Sequence, residues 1–282
     1  MESRSKKVFV KKLLEIFRLS KLVIKIYPLA IENVFYPLQR ERINELRLLL
    51  PLSLGQSITW KRFGSDGDGG YMMQDDILNS DICLSFGVGD NFSFDLDIAK
   101  KCHEVWMFDH TVNNLKISQP NIKFNQIGIS HQISSNYTTI DEILKKVPSD
   151  SDIILKMDIE GSEWKVLSNL DNTLFPRFRQ IIVEFHDLHK ILNDQLFSEI
   201  TQTLEKLNKS HKLINCHINN WSSFQLVAGV PFPNVIEATY LRRDSESLND
   251  KNVTLIENLG DMPNNPDVPD YSANFLSLFD FG

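Results

Sequence analysis

Five short apolar runs, residues 82–88, 104–108, 122–129, 152–157 and 180–185, recur along the chain with helical or turn-rich stretches between them. Runs that are apolar on both side-chain phases suit strands buried on two faces. Their alternation with helices closes best into a mostly parallel sheet with helices on both sides, an α/β fold. Helical patterns fill residues 92–102, 165–170 and 188–207, and Thr139 with Glu142 forms a capping box for a helix through residue 147. A glycine and aspartate loop, residues 62–71, precedes the first strand, and residues 212–217 and 235–243 read as a closing strand pair.

The 282 residues divide into a basic amphipathic helical extension (1–55), one α/β domain (56–245) and an acidic tail rich in Pro and Asn (246–282). In the extension, Val10, Leu13, Leu14 and Phe17 fall at helical spacing among lysines. Such a helix suits peripheral contact with an anionic membrane face, or packing on the domain with its lysines in water. Residues 38–50 form a second helical run. A net charge of −7 argues against a nucleic-acid coat. Cys83, Cys102 and Cys216 form no CxxC pair, which suits a reducing, cytoplasmic setting. The longest apolar stretch near the start, residues 22–31, is short and is broken by Lys25 and Pro28, too little for a membrane span. The oligomeric state stays open.

Ligands of open α/β sheets bind outside the carboxyl ends of the strands. One such end reads Phe86-Gly87-Val88-Gly89-Asp90 and the next carries Asp109, an acid placed to accept ribose hydroxyls. The third glycine of a dinucleotide fingerprint is missing, since Phe92 stands there, and no Tyr is followed four residues later by Lys. A nucleoside without pyrophosphate fits better than NAD, and S-adenosylmethionine (SAM) is the natural candidate. The plain alternative is a glycine turn beside a solvated Asp109.

Two further strand ends bring acids and imidazoles: Asp158 with Glu160, and Glu184 with His186. His217 ends the first of the closing strands. A hydroxyl made to act as a nucleophile at such an edge must lose its proton to a general base or a metal-assisted acceptor. Asp158, Glu184 and His217 form a candidate Mg²⁺ or Mn²⁺ set. Without a metal, His186 or His217 serves as base, held by Glu184 or Asp158, so the catalytic candidates are Asp158, Glu160, His186 and His217. Glu160 and Glu163 read equally well as acids in a first helical turn. Trp221 suits either a sugar face or a loop anchor, and His103, His131 and His211 read as surface residues.

The stretch Lys156-Met157-Asp158-Ile159-Glu160-Gly161-Ser162-Glu163-Trp164, with the glycine strand end and Asp68-Gly69-Gly70-Tyr71, resembles the FkbM-type methyltransferase family over about residues 62–243. The resemblance implies a class I, Rossmann-like fold and methyl transfer from SAM, commonly to oxygen. It places Gly87 and Gly89 at the methionine part, Asp109 at the ribose, and Ile127 with Gly128 at the adenine. The loop with Asp68, Gly69, Gly70 and Tyr71 would cover the amino-acid end. The expected acceptor is a sugar hydroxyl of a glycan or glycolipid. A small metabolite, a protein side chain, or a non-catalytic SAM-binding scaffold are the alternatives.

Overall fold

The computed structural model describes residues 36–51, 58–78, 81–113, 115–222, 224–245 and 261–271. The basic segment proposed for membrane contact, within the first thirty residues, lies outside them, while the second helical run expected at 38–50 is the helix Tyr36–Leu49.

Seven strands form the central sheet. In chain order they are β3 (Ile82–Phe86), β4 (Glu104–Phe108), β5 (Ile122–Asn125), β8 (Ile153–Met157), β9 (Phe178–Phe185), β10 (His211–Ile218) and β13 (Ile236–Arg242). Their spatial order is β10-β13-β9-β8-β3-β4-β5. The five strands from β9 to β5 run parallel, while β13 lies antiparallel to both β9 and β10. The chain leaves β3 toward β4 and β5, then returns to the other side of β3 as β8. That reversal is the switch point at which an open α/β sheet leaves a crevice.

Side-chain alternation explains why both faces are covered. Leu84, Phe86, Leu155, Met157, Ile181 and Val183 share one apolar cluster with helices α1 (Tyr36–Leu49), α3 (Ile140–Leu144), α4 (Glu163–Asn169) and α5 (Asp194–Ser210). Cys83, Val105, Met107, Ile154 and Ile182 share the other with α2 (Ser93–Ile98) and a hairpin of β1 (Trp60–Phe63) and β2 (Tyr71–Gln74). This is a doubly wound, Rossmann-like α/β fold.

Several sequence expectations change. The glycine and aspartate loop lies within a hairpin, because residues 60–63 pair with residues 71–74. The run at 122–129 is not one strand. The last partner that β4 offers is Phe108, opposite Asn125, and beyond it Gly128–Ile129 (β6) pairs with Tyr137–Thr138 (β7). The long helix expected from residue 188 begins at Asp194, where the Asn193 side chain accepts from the Leu196 amide; a 3-10 turn, Leu188–Lys190, stands before it. Thr139 does cap α3, accepting from the Glu142 amide. His211, expected at the surface, is fully buried; its Nε2–H donates to the Phe178 carbonyl at 2.8 Å, and burial pushes its pKa down to about 4. Acceptance from a carbonyl is impossible, so Nε2 carries the proton there.

Part of the acidic tail, residues 261–271, lies back on the domain. Asn264 is 2% exposed, and its amide donates to Glu237 and Asp68. The Asn220 amide faces the carbonyls of Asn265, Val268 and Pro269.

Candidate active site

Phe86, Phe108 and Met157 are register partners, so the turns after β3, β4 and β8 meet at one sheet edge. A cavity of about 350 Å³ opens there. Its wall carries Asp68, Gly69, Tyr71, Gly87, Gly89, Asp90, Asp109, Asp158 and Glu160 as the sequence suggested. Phe86, Gly70 and Ile127 do not line it. Phe86 is fully buried against Phe108, and Gly70 faces Ser65 and Arg62. Ile127 packs on the core, and Gly128 and Ile129 take the wall position.

The two glycines of the turn have different reasons. Gly87 has φ +72°, and a Cβ there would stand 1.5 Å from the Asp158 carbonyl oxygen. The close approach is between two strand ends, not between backbone and ligand. Gly89, at φ +59°, has nothing within 4 Å of its Cβ position. It leaves the open space a ligand would use.

Asp109 ties this turn together. Its Oδ2 accepts from the amides of Val88 and Gly89, and its Oδ1 from the amide and hydroxyl of Thr111. Burial raises its pKa, but the Thr111 hydroxyl and these amides outweigh it and hold the carboxyl down at about 2. A carboxylate has room for about four hydrogen bonds. All four places are filled, so a ligand hydroxyl reaching Asp109 would have to displace the one donor that can rotate away, Thr111 Oγ1. At the far wall the Tyr137 hydroxyl and His110 Nε2 are 2.8 Å apart, beside Gly128. The cavity thus offers an aromatic end, an anion at ribose height and an open glycine turn, which fits a nucleoside with an amino-acid extension.

At the opposite end stand Asp158 and Glu160. Lys156 Nζ donates to the Gly87 carbonyl at 2.5 Å and lies 3.7 Å from Asp158 Oδ2. The Tyr71 hydroxyl is 3.5 Å from both Asp158 Oδ2 and Glu184 Oε2. Glu184 is buried, with the Asn219 amide donating to its Oε1 at 2.9 Å. Burial first, then the Asp158 and Glu237 charges, push its pKa well above the carboxylate range. His186 Nε2 lies 3.5 Å from Glu160 Oε2 and 3.7 Å from Glu184 Oε1.

The structure does not bring His217 to this edge. In register, His217 faces Glu237 and Glu237 faces Glu184, so β10 lies three strand spacings from β8, about 14 Å. Its Nδ1 is 3.3 Å from Glu237 and its Nε2 3.0 Å from Asp270 of the returning tail. The metal set Asp158, Glu184 and His217 is therefore not assembled. Among the described residues, the cluster whose ligand atoms lie within 4.8 Å of one another is Asp158, Glu160 and His186.

The methyltransferase FkbM domain model matches residues 20–210. This chain belongs to that family. No curated protein matches the sequence. Solved structures overlap it loosely. A precorrin 8w decarboxylase of Methanobacterium thermoautotrophicum has 17% identity over 58% of this chain and 83% of its own, with a TM-score of 0.34. A candidate methyltransferase of Streptococcus mutans in complex with S-adenosylhomocysteine has 12% identity over 59% and 88%, at 0.33. The precorrin-6y C5,15-methyltransferase of Geobacter metallireducens has 10% identity over 60% and 84%, at 0.35. Overlaps this loose say nothing of what an FkbM member accepts.

Within the family motif, Asp158 and Glu160 line the cavity as expected. Lys156, Phe94, Asp95, Thr111 and Tyr137 also line it and were not singled out by the sequence. Lys156 and Asp95 hide among apolar neighbours, and Tyr137 follows no motif. Glu163, read as a helix-capping acid, also reaches His186 Nδ1 at 3.2 Å.

Proposed function

We propose that this protein is an O-methyltransferase that uses SAM, with a sugar hydroxyl of a glycan or glycolipid as acceptor. The observation that carries the reading is the contact of His186 Nε2 with Glu160 at 3.5 Å: Glu160 and Asp158 line the cavity, and His186 stands behind them, outside its lining. SAM supplies the methyl group as an electrophilic sulfonium. The chain's own part is to align an oxygen with that methyl and remove its proton.

His186 is the base. Burial favours the neutral ring, but the Glu163 hydrogen bond and charge, then Glu184 and Asp158, raise its pKa to about 9. With a pKa of about 9 the ring accepts a proton only in its neutral form, so on this reading the rate rises with pH toward about 9. Tyr71 and Asn219 orient Glu184, and Lys156 holds Asp158 against the glycine turn. Trp221 supports the sugar. It is 61% exposed, and its amide donates to the side-chain oxygen of Asn219, the residue whose amide holds Glu184.

A second reading of the same edge rests on the closeness of Asp158, Glu160 and His186. Those three would hold Mg²⁺ or Mn²⁺, which would acidify the hydroxyl in place of an imidazole base. Among the described residues no helix is long and apolar enough to cross a membrane. Contact with a lipid-linked acceptor falls to the basic N-terminal segment.

Transfer of labelled methyl from SAM to glycans, peptides and small alcohols tests this, with and without chelation and in His186→Asn. Label on a sugar hydroxyl, resistant to chelation and lost in His186→Asn, supports the base reading. Loss on chelation and recovery with Mn²⁺ moves His186 to the metal reading. Label on peptides or small alcohols replaces the acceptor, and SAM binding without any transfer favours a scaffold.

A further inference from the structure

We infer that Glu163 is the positioning residue of the reactive edge: one buried carboxylate fixes the tautomer of His186 and the turn that carries Asp158 and Glu160. The inference rests on the reading of His186 Nε2 as the working atom, whether it takes a proton or a metal.

Glu163 is fully buried at the start of α4. Its Oε1 accepts from the Ile159 amide at 2.9 Å and the Gly161 amide at 3.1 Å, and the same oxygen lies 3.2 Å from His186 Nδ1. The amide bonds span a turn in which Glu160 and Gly161 both have positive φ, 55° and 97°. A capping role accounts for those amides. It does not account for the imidazole of His186, just past the end of β9, ending on the same atom. Trp164 completes the clamp, since its Nε1 donates to the His186 carbonyl at 2.7 Å while its ring stacks on Phe185 at 3.8 Å.

The chemical consequence follows from what each group can do. An ionised carboxylate only accepts, so Nδ1 must carry hydrogen. In the neutral ring the lone pair is then on Nε2, which is the atom turned toward Glu160, Glu184 and Asp158. A carboxylate behind the distal nitrogen is the arrangement that orients both catalytic and metal-binding histidines. The charges facing this ring are Glu163 from α4, Glu160 from the turn, Glu184 from β9 and Asp158 from β8, with Lys156 beside Asp158 and the Tyr71 hydroxyl beside Glu184. Glu163 is the one among them that touches Nδ1.

Imidazole ¹⁵N NMR of the full chain, titrated with pH in the unsubstituted protein and in Glu163→Gln, decides the matter without an acceptor. The unsubstituted protein is expected to show hydrogen on Nδ1 of the neutral His186 ring, and the His186 midpoint is expected to fall from about 9 toward 6.5 in Glu163→Gln. An Nε2–H tautomer overturns the inference, and so does a midpoint that Glu163→Gln leaves in place. The tautomer needs no variant, so a misfolded Glu163→Gln leaves the test intact. Once an acceptor is known, kcat in Glu163→Gln is expected to fall on the order of 100-fold, with the acid limb of its pH profile moved to lower pH. A uniform loss with the limb unmoved would reduce Glu163 to a cap. In a His186→Asn background the same change is expected to cost no further activity, and additive losses would break the link. Should SAM transfer no methyl group at all, the function fails while the NMR result on Glu163 stands by itself.

Discussion

Replacing Gly87 by alanine tests the claim that this glycine joins two strand ends rather than making room for a ligand. At φ +72° an L residue costs about 1–2 kcal/mol more than glycine. The new Cβ would sit 1.5 Å from the Asp158 carbonyl oxygen and 2.6 Å from its carbon. Separating Cβ and oxygen to even 3.0 Å moves the β8 end by roughly 1.5 Å, in an interior with no slack to absorb it. Two ladder bonds cross that junction, Asp158 N–H to the Phe86 carbonyl at 2.9 Å and Gly87 N–H to the Phe108 carbonyl at 3.0 Å. Losing both costs about 2 kcal/mol, so the total reaches about 3–4 kcal/mol before any packing is lost. In a domain of this size that lowers the thermal midpoint by roughly 10 °C. Circular-dichroism melts of Gly87→Ala and Gly89→Ala, with calorimetric SAM titration of each, provide the assay. Gly89→Ala carries a similar φ strain but meets nothing within 4 Å, so it is expected to melt within a few degrees of the parent while weakening SAM. Equal melting losses in the two variants, or a Gly87→Ala protein that melts like the parent, would refute the reasoning.

Two other expectations concern charge. His186 and His217 each have a folded pKa of about 9 against an ordinary 6.5, so their protonated forms stabilise the fold. That contribution is complete below pH 6.5 and is lost as pH rises through about 9, so thermal midpoints should decline across that window and decline less in His217→Asn. A flat profile would contradict the ion pairs. At the ribose position, Thr111→Val should leave SAM affinity intact or slightly improved, because the displaced hydroxyl is gone in advance. Asp109→Asn should weaken SAM at least about tenfold, since bonds to charged groups are worth about 1.5–3 kcal/mol each. Calorimetry showing equal losses in both variants would mean that the Thr111 hydroxyl itself binds the ligand.

The sequence by itself determined most strands of the central sheet, several helix starts and the sheet edge at which the cavity opens. These are local properties: an apolar run specifies a buried strand, Thr139 specifies a cap, and glycines and acids after strands mark a ligand edge. Gly87, Gly89, Asp109, Asp158 and Glu160 were legible for that reason, as was family membership. What only tertiary structure decided depends on strand order and register. His217 and His186 look equivalent in sequence, yet β13 inserts between β9 and β10 and moves His217 out of reach of Asp158. Residues 122–129 read as one strand, yet the partner that would have continued it ends at Phe108. Glu163 satisfies the rule for a helix start, and the contact that gives it a second role comes from His186, just past the end of β9. A sequence pattern records which groups a segment carries and which way they alternate. Whether a carboxylate finds an imidazole, an amide or a ligand is fixed by neighbours that only the folded sheet brings together.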